Sequence, residues 1–331
     1  MADGGLTKGD SAFRMVPGTG SWPEMTYGGA LSFLRRPYSR TLDGVDAVVS
    51  GIPYDGAVTN RSGCRLGPRA IRAASTLLAE LPAFPFGFSP FDTLNAVDWG
   101  DCYLDPHHPE TIAASIEAHA DHILASGATM VTLGGDHFIS YPLLKAHARA
   151  HGPLALIQVD AHCDTWTDDG RQLDHGTMFA RAAAEGVIDV KRSVQVGLRT
   201  IGTTNGVPSD CGFEILTAPW IHRHGIDKAL DVVIGLAGKG PVYLSFDIDG
   251  LDPAYAPGTG TPVPAGLSSH QALSFVRGLG GLDLVGMDIV EVSPAYDHSE
   301  ITAIAAATIA HDFLCLLAER KGAKRIPLGR L

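Results

Sequence analysis

Short apolar runs alternate along the chain with longer segments in which apolar residues recur at every third or fourth position. The short runs predict buried strands at 46–55, 94–101, 128–137, 154–162, 193–199, 241–249 and 284–292. The longer segments predict helices at 67–81, 109–127, 140–152, 177–186, 226–237, 268–279 and 299–319. Because strands that alternate with helices form a mainly parallel sheet with helices on both faces, we predict a three-layer α/β/α fold of about eight strands.

The region from Asp46 onward contains no internal repeat and no linker, so we predict a single domain over residues 46–331. Residues 1–45 are rich in Gly, Pro, Ser and Arg and show little periodicity. We expect them to form an N-terminal extension that is partly mobile or lies at a subunit contact.

Composition narrows the classes of protein to consider. The chain has 331 residues, a net charge of −11 and only 18% charged residues, which argues against disorder and against nucleic acid or membrane as partners. Its five cysteines form no CxxC pair, which favours a reducing compartment. The chain has no uninterrupted apolar run of about 18 residues and no signal-peptide pattern at its start. We therefore expect a cytoplasmic protein.

Acidic residues and histidines follow several of the predicted strands where each strand ends. They lie in GGDH (134–137), DAHCD (160–164) and DID (247–249), and Glu291 ends the last strand. The carboxyl ends of parallel strands meet at one edge of a sheet, so we expect these side chains to lie close together. A single Asp after a strand is more often a turn or helix cap, but this set is too large for that explanation. Four packed carboxylates would repel one another, which favours two divalent cations about 3.5–4 Å apart.

The motifs that carry these residues resemble one protein family. The motifs are GGDHF (134–138), VDAHCDT (159–165), LDHGTMF (173–179), SFDIDGLDPAYAPGTGTPV (245–263) and EVSPAYDHSEITA (291–303). From about Phe33 to Lys321 the chain resembles the ureohydrolase (arginase/agmatinase) family, and within it the bacterial agmatinases most closely. The resemblance implies an arginase-like fold, two Mn(II) ions and hydrolysis of a guanidino group to an amine and urea.

The same resemblance assigns the metal ligands. It implies that one metal is bound by His137, Asp160, Asp164 and Asp247. It implies that the other is bound by Asp160, His162, Asp247 and Asp249, so that Asp160 and Asp247 are shared. Ligand chemistry alone also allows Ni, Fe, Co or Zn.

Two further residues match catalytic positions of the family. In such a site two cations share a water, lower its pKa and supply the hydroxide that attacks the guanidinium carbon. His175 matches the residue that transfers a proton to the leaving amine, although it could simply begin the 177–186 helix. Glu291 lies in an apolar run and suits a bidentate guanidinium contact, the alternative being a structural ion pair with Arg.

Residues farther from the predicted metals are candidates for substrate binding. Trp166, Asp168 and Asp169 follow DAHCD and either wall the pocket or form a solvated loop. Asn60 lies after the first strand, in a loop that the family resemblance implies lines the pocket. We expect Asp136, Asp252 and Asp288 to be structural or to support the ligands.

The substrate interpretation rests on the segment 160–176, which lacks the Asn and Thr-Pro features of arginases. Its acidic residues favour agmatine, a cation without a carboxylate. A guanidino acid such as 4-guanidinobutanoate is the alternative, because Arg61 and Arg171 could bind its carboxylate. A non-catalytic metal-binding relative is a third hypothesis, which the complete residue set disfavours. The resemblance also implies a homo-trimer or homo-hexamer.

Overall fold

A computed structural model describes residues 26–80, 82–166, 174–200, 203–204, 207–208 and 211–327. Its strands are β1 (Ala47–Ile52), β2 (Ala96–Asp101), β3 (Thr129–Gly134), β4 (Ala155–Val159), β5 (Val194–Leu198), β6 (Thr203–Thr204), β7 (Val207–Pro208), β8 (Glu214–Thr217), β9 (Pro241–Asp247) and β10 (Asp283–Val290). The short β6 and β7 pair only with each other, in antiparallel fashion. The other eight strands form one parallel sheet in the order β2-β1-β3-β10-β9-β4-β5-β8.

Helices cover both faces of this sheet. They are α1 (Gly67–Ser75), α2 (Ile112–Leu124), α3 (Ser140–His151), α4 (Met178–Ala184), α5 (Ala218–His224), α6 (Ile226–Ala237), α7 (Ser269–Gly278) and α8 (Ile301–Arg320). One core cluster joins residues of α1, α7 and α8, such as Ile71, Phe275 and Phe313, to the sheet. A second cluster includes Ile116 and Leu143 from α2 and α3. The predicted three-layer fold with a parallel sheet of about eight strands is confirmed.

The sequence-based prediction lacks the short pair β6 and β7 as well as β8 and α5. Strand β8 has only four residues, lies at the edge of the sheet and exposes Glu214, so its sequence carries no buried apolar run. Helix α5 follows it directly, with the side chain of Thr217 accepting a hydrogen bond from the backbone N–H of Trp220. Seven residues are too few to show a helical period.

Helix α8 is the main apolar helix of the core. By length and composition alone it could cross a membrane, since its mean hydropathy reaches 1.8, although Asp and His interrupt it. In the folded protein, 78% of that stretch is buried. This burial is what a central helix of a folded domain requires.

The segment before β1 packs against the sheet from residue 33 onward. Phe33 and Leu34 are fully buried, and the backbone N–H of Phe33 donates to Asp98 Oδ2 at 2.7 Å. Arg72 of α1 donates to the same carboxylate at 2.8 Å. The division at residue 45 stays a prediction, and residues 1–25 lie outside the described part of the chain.

Candidate active site

The four central strands of the sheet, β3, β10, β9 and β4, are the ones that end in the predicted metal ligands and Glu291. Residues distant in sequence therefore meet at one edge. The backbone N–H of His137, for example, donates to Glu291 Oε1 at 2.8 Å across a separation of 154 residues. Glycine at 135 is required by a close approach, because a Cβ there would collide with the carbonyl of Tyr54.

His137 presents one ring nitrogen to a cluster of carboxylates. Its Nδ1 lies 2.9 Å from Asp164 Oδ2 and 3.2 Å from Oδ2 of both Asp160 and Asp247. On the other side of the ring, Nε2 lies 2.8 Å from Ser245 Oγ, which donates its own proton to Asp288 Oδ1 at 2.7 Å. Nε2 therefore carries a ring proton, and the buried Nδ1 points into the carboxylate cluster, where its lone pair is available to a bound cation.

A second group of donor atoms lies beside the first. His162 Nδ1 is 3.1 Å from Asp249 Oδ2 and 3.5 Å from Asp160 Oδ1. Among the residues described, two sets have donor atoms within 4.8 Å of one another: His137 with Asp160 and Asp247, and Asp160 with His162 and Asp249. Asp160 is thus common to both sets.

Asp247, which was expected to bind both metals, belongs to only the first of these two sets. Its Oδ1 accepts the backbone N–H of Asp249 at 2.8 Å, while Oδ2 faces His137. The second compact set does not include it. The predicted shared role of Asp247 therefore stays a prediction, as do the individual ligand assignments.

The cluster lacks positive charge. Burial and the neighbouring Asp160 raise the pKa of Asp164 to about 7, and burial, Asp249 and Asp160 raise the pKa of Asp247 well above its ordinary value. Burial favours neutral histidines, yet the surrounding carboxylates raise the pKa of His162 to about 12 and that of His137 well above its ordinary value. Crowded carboxylates thus favour proton uptake at their own oxygens and at the histidines, and a bound cation would relieve the same repulsion.

The donor set fits two divalent cations. It combines carboxylate oxygens with imidazole nitrogens, and the lone pair of His137 Nδ1 forms no hydrogen bond within the described structure. Ser245 and Asp288 hold the His137 ring through Nε2, as outer partners of metal-bound histidines commonly do. Asp288 therefore supports a candidate ligand, as expected.

Asp136 and Asp252 organise loops. Asp136 accepts backbone N–H groups from Ala57 at 2.9 Å and Phe138 at 3.0 Å, which joins the loop after β1 to the His137 turn. Asp252 accepts N–H groups from Ala254 and Gly266. Both arrangements agree with a structural role.

His175 and Glu291 lie in direct contact beside the candidate metal sites. His175 Nδ1 is 3.1 Å from Glu291 Oε1, and its Nε2 accepts the backbone N–H of Thr59 at 3.0 Å. Burial lowers the pKa of His175, but the hydrogen bond and charge of Glu291 outweigh this and raise it to about 9. The Thr59 hydroxyl, 2.8 Å from Nε2, donates to the neutral ring and accepts from the protonated ring. The backbone N–H of Thr59 favours an unprotonated Nε2, whereas the Thr59 hydroxyl and Glu291 can each accept from a protonated ring nitrogen.

Thr59→Val should lower kcat while leaving metal content unchanged. The substitution keeps the backbone N–H but removes the hydroxyl that pairs with protonated Nε2. A lost hydrogen bond of about 0.5–1.5 kcal/mol corresponds to a fall of roughly 2- to 13-fold. Steady-state kinetics at saturating metal would measure it, with Thr59→Ser as the matched control that retains the hydroxyl. Equal losses in both variants would contradict this role.

Glu291 has one oxygen available for a ligand. Oε1 is occupied by the contacts with His137 and His175, whereas Oε2 is buried without a hydrogen-bond partner among the described residues. A Cβ at Gly260 would lie 3.4 Å from Oε2, which places this glycine directly beside the oxygen. Glu291 also has a left-handed backbone, with φ of 63°. A buried carboxylate oxygen without a hydrogen-bond partner suits a cationic donor.

The predicted substrate-binding residues have different placements. Asn60 Nδ2 donates to the Gly260 carbonyl at 3.0 Å, which places Asn60 beside Glu291. The ring of Trp166 lies 6.5 Å from that of His162, so Trp166 is next to the second donor set. Asp168 and Asp169 lie outside the described residues, as does Arg171.

Sequence reasoning did not single out Ser245 or the contact between Thr59 and His175. Ser245 is a polar residue inside the apolar β9 run, which is a signal of a buried hydrogen-bond network. Thr59 lies in the loop predicted to face this edge, but no sequence signal pairs it with a residue 116 positions away.

Comparison with known proteins identifies the family. Residues 45–315 match the family model described as the arginase family. The chain belongs to the arginase family. It is 58% identical over 315 residues to an agmatinase from Chromobacterium violaceum, which covers 95% of this chain and 96% of that protein.

Solved structures of arginase-family proteins agree with this assignment. A hypothetical agmatinase from Burkholderia thailandensis is 58% identical, covers 95% of this chain and 98% of its own, and superposes with a TM-score of 0.89. Proclavaminate amidino hydrolase from Streptomyces clavuligerus is 38% identical, with coverages of 89% and 99% and a TM-score of 0.83. These similarities extend over most of the chain.

Proposed function

We propose that this protein is a hydrolase of guanidino C–N bonds that converts agmatine and water to putrescine and urea. The observation that carries the proposal is the free, buried Oε2 of Glu291 beside two acidic donor sets that share Asp160. The 58% identity to an agmatinase over 95% of the chain supports agmatine as the substrate.

Glu291 would bind the guanidinium group. A guanidinium is planar, permanently charged and rich in N–H donors, so it complements a buried carboxylate oxygen without another partner. Gly260 lies beside this oxygen, and Asn60 donates a hydrogen bond to the Gly260 carbonyl. His137 N–H holds the other Glu291 oxygen, so substrate orientation is tied to the His137 turn.

Two metal ions are part of the proposal. The residues that would hold them are His137, Asp160, His162, Asp164, Asp247 and Asp249. When bound, such ions lower the pKa of water to near neutrality and stabilise negative charge in the transition state. We propose Mn(II), supported by the family and the carboxylate-rich donor set; Ni, Fe, Co and Zn are alternatives that metal analysis of the purified enzyme would distinguish.

His175 would deliver the proton that the leaving amine requires. The guanidino C–N bond breaks as the amine gains this proton, so a group that exchanges protons near neutral pH is needed. Glu291 and Thr59 hold the two ring nitrogens in fixed directions. The imidazole is therefore oriented before substrate binds.

The substrate ranking tests the proposal. Urea release should be fastest with agmatine, slower with 4-guanidinobutanoate and slowest with L-arginine, measured as kcat/KM at saturating Mn(II). Agmatine presents a cation and no carboxylate to an acidic chain, and an exposed charge contact contributes about 0.2–1 kcal/mol, or up to roughly fivefold in kcat/KM. Faster turnover of 4-guanidinobutanoate would establish a guanidinobutyrase instead. Absence of urea from every compound, with both metals bound, would indicate a non-catalytic metal-binding relative.

We also propose a cellular location, an oligomeric state and a metabolic role for the enzyme. A cytoplasmic homo-trimer or homo-hexamer that contributes to putrescine biosynthesis is consistent with the reducing-type cysteine pattern and the family. The exposed Tyr27, Leu31 and Leu77 line one surface cleft, which supports a subunit contact there. Light scattering of the purified protein would measure the assembly.

A further inference from the structure

Two glutamines lie fully buried beneath the loop that carries three of the candidate metal ligands. Gln158 in β4 and Gln195 in β5 are direct partners in the parallel register of these strands, and both have 0% exposure. Each interrupts an otherwise apolar strand. A buried amide is unfavourable unless its donors and acceptors are paired, so these residues need a specific explanation.

The two amides form a chain of hydrogen bonds that ends on Asp160. Gln195 Nε2 donates to Gln158 Oε1 at 2.7 Å and to the Cys163 carbonyl at 2.5 Å. Gln158 Nε2 donates to Asp160 Oδ2 at 2.8 Å and to the His162 carbonyl at 3.2 Å. Both nitrogens face acceptors, which fixes the orientation of each amide, while Gln195 Oε1 has no hydrogen-bond partner among the described residues.

The loop from 160 to 164 requires such support. It places Asp160, His162 and Asp164 within five residues, and Asp164 takes a left-handed backbone with φ of 51° that glycine usually adopts. The glutamines satisfy two backbone carbonyls of this loop. Each oxygen of Asp160 accepts a hydrogen bond. Gln158 Nε2 donates to Oδ2, and the backbone N–H of His162 donates to Oδ1 at 2.6 Å.

We propose that Gln158, oriented by Gln195, is a positioning residue that holds Asp160 and its loop in the metal-binding conformation before the metals bind. Asp160 belongs to both donor sets, so its orientation affects both sites. Without the amides, the carboxylate would rotate among its acidic neighbours and the loop carbonyls would lose their partners. The metals would then have to order the site as they bind.

The test measures metal occupancy of the full-length enzyme. Holoenzyme is dialysed against a series of buffered free Mn(II) concentrations, and metal per chain is determined by atomic absorption. Gln158→Met, which keeps the length of the side chain, should raise the Mn(II) concentration for half occupancy about 10- to 100-fold. At saturating Mn(II), kcat and KM for agmatine should return to near the wild-type values. Gln195→Met, which acts through Gln158, should shift occupancy in the same direction by a smaller factor.

Ser193→Ala is the matched control. Ser193 is buried at the start of β5, where its hydroxyl accepts the Leu156 N–H at 2.8 Å and donates to the Asp189 carbonyl at 2.7 Å, away from the ligand loop. It should lower the melting temperature without changing Mn(II) occupancy. Wild-type occupancy in Gln158→Met, or an equal shift in Ser193→Ala, would overturn the proposal.

Gln195→Met keeps the proposal testable if Gln158→Met does not fold, since an unchanged Mn(II) occupancy in that variant would overturn it. The inference rests on the proposed two-metal site but not on agmatine as substrate. Occupancy alone decides it, so failure of the substrate proposal would appear separately, as a different ranking of guanidino compounds in the wild-type enzyme.

Discussion

Asp160→Ala is expected to reduce urea release to below about one-thousandth of the wild-type rate, a loss of roughly 4 kcal/mol of transition-state stabilisation. The reason is that Asp160 is the one carboxylate shared by both compact donor sets found in the described residues. Removing the Asp160 carboxylate takes one donor from each set. Asp164 and Asp247 then remain close to His137 without Asp160 beside them. We expect bound metal to fall at both sites.

Asp249→Ala is the matched comparison for this variant. Asp249 belongs to only one donor set, so one metal should be retained and activity should partly recover at high Mn(II). Metal per chain and urea release would be measured on the same samples across a Mn(II) series. Two bound ions per chain in Asp160→Ala would show that Asp160 does not bridge the sites.

Glu291→Gln is expected to lower kcat/KM for agmatine about 10- to 100-fold with metal content unchanged. The amide keeps the size of the side chain but removes its charge, and a charge-assisted hydrogen bond contributes about 1.5–3 kcal/mol. The amide oxygen would remain toward the N–H of His137, so the amide nitrogen would replace the free Oε2. A guanidinium, which has only donors, would then face another donor.

Glu291→Asp supplies the control for charge alone, because it keeps the carboxylate but shortens the side chain. Steady-state kinetics and metal analysis of both variants would separate binding from folding. We expect circular dichroism spectra like that of the wild type for Glu291→Gln. Loss of metal or of folded structure in that variant would instead assign Glu291 a structural role.

The sequence predicts most of the fold because its elements have strong local signals. The helix over 226–237 is found with the predicted bounds, β9 lies within its predicted run, and β10 begins one residue before the predicted run 284–292. Strand β8 has no such signal, since an edge strand of four residues buries too little apolar surface to produce a run. The order of strands in the sheet depends on pairing between distant segments, which no local pattern encodes.

The candidate site could be predicted as a set of residues but not as an arrangement. The strand-end rule brings His137, Asp160 and Asp247 to one edge, and the structure places them there. It does not specify which oxygen of Asp247 faces which neighbour, because this depends on a backbone N–H from Asp249. Likewise, the contact of Thr59 with His175 follows from loop geometry and not from strand position.

The position of β10 in the sheet makes the active site a late product of synthesis and folding. Although β10 is the last strand in the sequence, it lies in the middle of the sheet and joins β3 on one side to β9 on the other. Before residues 283–290 emerge, β2-β1-β3 and β9-β4-β5-β8 have no strand between them, and His137 is separated from the other candidate ligands. Contacts of such long sequence separation form slowly. We therefore expect a chain cut before β10 to lack the strand that joins the two halves of the site, together with Glu291, and to release no urea.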